Sequence, residues 1–116
     1  METETHVTAL SALAQVTRLE VFRQLVRHEP EGLPAGEIAR RLSVPHNTLS
    51  SHLGILERAG LVTSQRHSRS IVYRADLAQV RGLVLYLLKD CCGGAPSLCA
   101  PLIEDLASCC AGARCG

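Results

Sequence analysis

No cysteine occurs in the first 90 residues of this 116-residue chain, and six follow. Other signals are missing too. The start, METETHVTAL, is acidic and has no basic stretch leading into an apolar one, so it lacks the pattern of a secretory leader. The longest apolar run near the end, LVLYLL, falls far short of the roughly 20 residues that span a bilayer. Both absences lead us to expect a cytoplasmic protein. Thiols stay reduced in that compartment, so clustered cysteines point to soft-metal ligands or redox groups ahead of structural disulfides. Paired catalytic carboxylates, a nucleophile elbow, a phosphate loop and a C-x-x-C in a βαβ setting are all absent, and no internal repeat is found. The expectation is a protein that is not an enzyme.

Hydrophobic residues make up 47% of the chain and charged residues 20%, which excludes the composition of intrinsic disorder. The formal net charge is only +1, but it is unevenly spread. Between Ala35 and Arg74 lie Arg40, Arg41, Arg58, Arg66, Arg69 and Arg74 against Glu37 and Glu57, a local excess of four positive charges. A basic middle segment suits a phosphate backbone, though an ordinary solvated arginine surface has the same composition.

From Val7 to His28 apolar positions recur at helical spacing, with a break near Gln15 to Thr17, which predicts two helices. EPEGLP then ends the second. In PAGEIARRLSVPHNTLSSHLGILERAGLV, Pro34 suits a first helical turn, and Ile38, Ala39 and Leu42 form a short apolar face. The residue before Pro45 is pushed out of the α region, so this helix stops at SVP. A second helix from about His46 to Ala59 places Leu49, Leu53 and Leu56 inward, and Gly60 supplies a left-handed stop. That is a helix-turn-helix. Asn47, Ser51, Gly54 and Arg58 fall opposite the leucine stripe. Short polar groups with little bulk are what a helix entering the major groove needs, and what a plain solvent-facing helix also carries.

LVTSQRHSRSIVYRA alternates and then reverses at HSRS, predicting a β-hairpin whose tip carries Arg66, His67 and Arg69. A cationic tip beside a recognition helix can meet phosphates or a minor groove. The fold class expected is therefore mainly α with a β-hairpin wing, a winged helix-turn-helix. LAQVRGLVLYLLK leaves almost no polar face, and a helix apolar all round must be covered on more than one side. A homodimer through the first and last helices is the expected solution. The chain divides on this reading into a DNA-binding and dimerisation domain over residues 1–90 and a cysteine-rich tail over 91–116. His6, His28, His46 and His67 are read as surface residues; His52 is assigned to DNA contact or to buttressing its helix.

LAQVTRLEVFRQL, GEIARRLSVPHNTLSSHLGILERAGLV and the wing RHSRSIVYRA together resemble the ArsR/SmtB family of metal- and metalloid-responsive bacterial repressors, over about Leu10 to Lys89. The resemblance implies a dimer that binds double-stranded operator DNA and leaves it when an inducer binds, with no cofactor needed for DNA binding. Asn47, Thr48, Ser50, Ser51 and His52 would touch bases or position the helix, and Arg66 and Arg69 would anchor phosphates. Two departures matter. The C-V-C pair of many arsenic repressors is replaced by EIARRLSV, and DLAQVRGLVLYLLKD lacks the histidines of the zinc sensors. Cys91, Cys92 and Cys99 instead match family members whose arsenic site is a C-terminal vicinal pair plus a third cysteine.

The chemistry agrees. As(III) and Sb(III) are soft trivalent metalloids that prefer three thiolates. Neighbouring Cα atoms are about 3.8 Å apart, so a vicinal pair brings two sulfurs to one centre, and GGAPS lets the third fold back. Alternatives stand beside this: sensing of Cd, Zn or Pb, sensing of thiol oxidation, and, in another class, metal buffering or a metallochaperone. Cys109, Cys110 and Cys115 are read as non-ligand thiols slightly ahead of a second site.

Overall fold

A computed structural model describes residues 2–88 and 100–110. The chain divides into two units, residues 1–83 and 84–116.

The first unit opens with α1 (Glu2–Leu13) and α2 (Val16–Arg27). Between them Gln15 takes an extended conformation and its side chain accepts the Arg18 N–H, satisfying one of the donors a new helix leaves open. The exit of α2 is held by His28, whose Nδ1 lies 2.8 Å from the Gln24 carbonyl. A turn through Gly32 follows, at φ +77. A Cβ there would sit 2.5 Å from the Tyr73 carbonyl oxygen, so the close approach admits only glycine.

Two residues after that turn, Leu33–Pro34, form β1. They pair antiparallel with β3 (Ser70–Ala75), which also pairs with β2 (Val62–His67), giving the order β1-β3-β2. The hairpin is the expected wing; its third strand was not foreseen. Pro34 thereby ends a strand and caps α3 (Ala35–Leu42) rather than sitting inside its first turn. The strand register leaves only Ser68 and Arg69 between the paired His67 and Ser70, with Ser68 at φ 57 making the reversal. Arg66 and His67 are thus the last residues of β2, and Arg69 alone of the three lies in the turn.

Between α3 and α4 (His46–Arg58), Ser43 adopts the left-handed conformation and Val44 donates back to the Ala39 carbonyl at 3.0 Å. That backward bond closes the short helix. Gly60, at φ +81, does the same for α4, where the Leu61 N–H reaches the Leu56 carbonyl at 3.0 Å. Leu25, Ile38, Leu49, Leu53, Leu56 and Leu61 are the largest fully buried side chains, so α2, α3, α4 and the start of β2 share one core. His6 belongs to its margin: it is only 8% exposed in α1, which corrects its reading as a surface residue. It shares the buried side of α1 with Ala9 and Ala12.

Asp76 caps α5 (Leu77–Leu88) by accepting the Gln79 N–H. Leu83 is buried and Val80 packs against the core. In the second unit α6 (Ala100–Cys110) makes an eleven-residue helix of the stretch around LIEDLA. Among the described residues no helix is long and apolar enough to cross a membrane.

Candidate nucleic-acid interface

The helix-turn-helix puts a fixed core behind α4 and leaves its other face open. Leu49, Leu53 and Leu56 are buried, while His46, Asn47, Thr48, Ser50 and Ser51 are exposed. Two of the polar groups hold their own backbone: Asn47 Oδ1 accepts the Thr48 N–H at 2.9 Å, and Ser51 Oγ donates to the Asn47 carbonyl at 3.5 Å. The Asn47 amide N–H groups and the Thr48 and Ser50 hydroxyls make no hydrogen bond among the described residues. A groove of about 380 Å³ runs between α4, the start of α3 and the wing, lined by Ala35, Gly36, His46, Ser50, Arg69 and Tyr73 among others. Ser50 and Arg69, singled out separately in the sequence, are therefore brought together. Arg66 does not line this groove.

Electrostatics separate the arginines into two groups. Glu37 accepts from both Arg40 and Arg41, the latter at 2.8 Å, and these bonds hold its carboxyl below the ordinary carboxylate range. Arg74 meets Glu29 at 2.7 Å, and that bond raises the guanidinium further above its ordinary value. Arg66 and Arg69 form no ion pair among the described residues. The basic excess seen in the sequence is thus partly neutralised on α3 and β3, while Arg66 and Arg69 on the hairpin, like the exposed Arg58 at the end of α4, meet no carboxylate among the described residues. Burial, followed by the charge of Glu57, pushes the phenol of Tyr73, which lines the same groove, above its ordinary value.

His52 sits half-buried on the flank of α4, with Nδ1 3.4 Å from Nη1 of Arg18. Arg18 in turn donates from Nε to the Ala12 carbonyl at 2.6 Å. Such a contact is what buttressing, one of the two roles expected for His52, would use. Arg18 carried no role in the sequence reading, although it lies within LAQVTRLEVFRQL, one of the stretches that carry the family resemblance.

Cys91, Cys92 and Cys99 lie outside the described residues, as does Cys115. Cys109 and Cys110 fall in the last turn of α6. Among the described residues no three of His, Cys, Asp and Glu gather into a metal-binding group.

A helix-turn-helix domain model matches residues 13–65. The transcriptional activator HlyU of Vibrio cholerae is 30% identical over 86 residues, covering 74% of this chain and 77% of that one. An ArsR-like transcriptional regulator from Rhodococcus sp. RHA1 superposes with a TM-score of 0.67 at 26% identity, over 97% of this chain and 96% of the other. A homodimeric winged helix-turn-helix domain from Mycobacterium bovis matches with a TM-score of 0.61 at 24% identity, over 76% and 82%. Similarity of that extent runs well past the helix-turn-helix alone, and by it this chain belongs to the ArsR family of DNA-binding transcriptional regulators, not to any class of enzyme.

Proposed function

We propose that this protein is a homodimeric repressor that holds operator DNA in its metal-free state and leaves it when As(III) or Sb(III) is captured by Cys91, Cys92 and Cys99. The carrying observation is the distribution of thiols: all six cysteines follow residue 90, and the vicinal pair begins three residues beyond the last residue of α5. Two recognition helices about 34 Å apart would enter successive major grooves. Asn47, Thr48, Ser50, Ser51 and His52 serve the bases and the helix position, and Arg66 and Arg69 hold phosphates. Support for the dimer comes from α1 and α5, which expose Val7, Leu10, Leu77, Val84, Leu85 and Leu87, and from the homodimeric state of the M. bovis relative. Occupying a promoter-side operator blocks transcription by occlusion, and three thiolates closing on one ion at the end of α5 change the geometry of the two halves.

Gel retardation with a metalloid titration tests this. The Cys91→Ser, Cys92→Ser double variant is expected to hold operator within about twofold of wild type but to lose the release, which typical coupling energies put at about 5- to 150-fold. Release by arsenite in that variant, equal to wild type, would remove the tail from the mechanism. Parallel arms with cadmium, zinc and peroxide separate metalloid sensing from divalent-metal and oxidation sensing.

A further inference from the structure

Around Arg18 four segments converge. Its own N–H is taken by Gln15 Oε1 at 2.8 Å, which fixes the backbone from which the side chain leaves. Its Nε donates to Ala12 O at 2.6 Å, a carbonyl in the last turn of α1 that has no helical partner further along. Its Nη1 faces His52 Nδ1 at 3.4 Å, across 34 residues of sequence. A guanidinium has donors only and stays charged, so the ring nitrogen it faces must offer a lone pair. In a neutral imidazole the proton then resides on Nε2.

We propose that Arg18 is a positioning residue for operator recognition: it ties α4, through His52, to the end of α1 and holds His52 in the Nε2–H tautomer. The groove that Arg18 lines, with Val7, Thr8, Ser11, Ile55 and Arg58, contains no carboxylate, so no anion among its walls competes for the guanidinium. Two bonds from one rigid fork fix an angle as well as a distance, which a lysine at the same place cannot reproduce. The consequence is that α4 is held against α1 by a polar tie in addition to leucine packing, and its outward face keeps one orientation. This inference rests on α4 being the DNA-reading helix.

The test uses the full-length chain and a duplex selected from a random library by the wild-type protein. Arg18→Ala and His52→Phe are each expected to bind it about tenfold more weakly, a loss of about 1.4 kcal/mol, while binding of unrelated duplex changes little. The double variant is expected to be no weaker than the weaker single, because both remove the same tie. His52→Gln, which keeps an acceptor, is expected to recover most of the affinity. Long-range proton–nitrogen spectra of the free wild-type protein are expected to show His52 protonated on Nε2, and Arg18→Lys to mix the tautomers. Additive losses, or a wild-type His52 protonated on Nδ1, overturn the proposal. If Arg18→Ala fails to fold by circular dichroism, Arg18→Lys with His52→Phe completes the cycle. Should the wild-type chain select no duplex, the DNA reading fails, while the spectra still decide the tautomer.

Discussion

Helices α4 and α5 show two ways in which an apolar helix can be satisfied. α4 carries its leucines as a stripe, buries Leu49, Leu53 and Leu56 completely, and turns hydroxyls and an amide outward. α5 is apolar all round, yet only Leu83 is fully buried, at 4% exposure, while Leu85 and Leu87 remain 57% and 54% exposed. A stripe records one neighbour. All-round apolarity records two, and in the first helix Val7 and Leu10 are left exposed in the same way. On the proposed reading, the helix that would read DNA is finished within the protomer, and a second copy would cover the helix that precedes the thiols in sequence.

The sharpest way to break that contrast is to damage each helix in turn. Leu85→Glu is expected to leave the protomer folded but to convert the dimer to monomer in analytical ultracentrifugation. Losing bivalent engagement should cost operator affinity about 10²- to 10⁴-fold. Leu56→Ala should instead lower unfolding stability by about 2–5 kcal/mol in thermal or denaturant melts, because it opens a cavity at a site with no exposure. If Leu85→Glu remained dimeric, α5 would not be the subunit contact.

Much of this was legible before any coordinates. The helix break at Gln15, the stop at Ser43 and Pro45, the leucine stripe and the wing all carry strong local chemistry, and each lies where spacing places it. What escaped depends on contacts distant in sequence. β1 is two residues long, too short for alternation to register, and exists because Tyr73 and Val72 are there to pair with it. His6 looked like a surface residue because nothing in its sequence neighbours marks it as buried with Ala9 and Ala12. The local charge excess was correct as a sum, but Glu29, outside the window, neutralises Arg74, and Glu37 serves two arginines at once. Arg18 stood in a stretch that carries the family resemblance, yet its contact partner is His52, 34 residues away.

A smaller effect sharpens the DNA-facing side of the comparison. Arg69→Ala removes a bare cation from the groove beside α4 and should weaken binding about equally for all duplexes. It should also lower the slope of log affinity against log salt by about 0.9, one phosphate contact. Arg40→Ala, whose charge Glu37 already holds, is the matched control and should leave the slope unchanged. Equal slopes for the two variants would mean that the wing tip does not reach the backbone. Neither variant should alter the dimer, so the two faces stay separable.

The smallest effect concerns Glu37 itself. Its carboxyl titrates lower in the folded protein than in the unfolded chain, because Arg40 and then Arg41 donate to it. A group shifted in this direction adds stability above its unfolded pKa, and that contribution disappears as pH falls through the lowered folded value. Glu37→Gln should therefore melt slightly below wild type at neutral pH, with the gap closing as the carboxylate is protonated and shrinking in high salt, as for any solvent-screened pair. The same substitution releases two guanidinium groups on α3 while leaving α5 untouched, so operator binding should become steeper in salt with the dimer unchanged. A melting gap that persisted undiminished into acid would show that Glu37 acts through packing rather than charge. Charge pairing on α3 would then not be what separates its arginines from those of the wing.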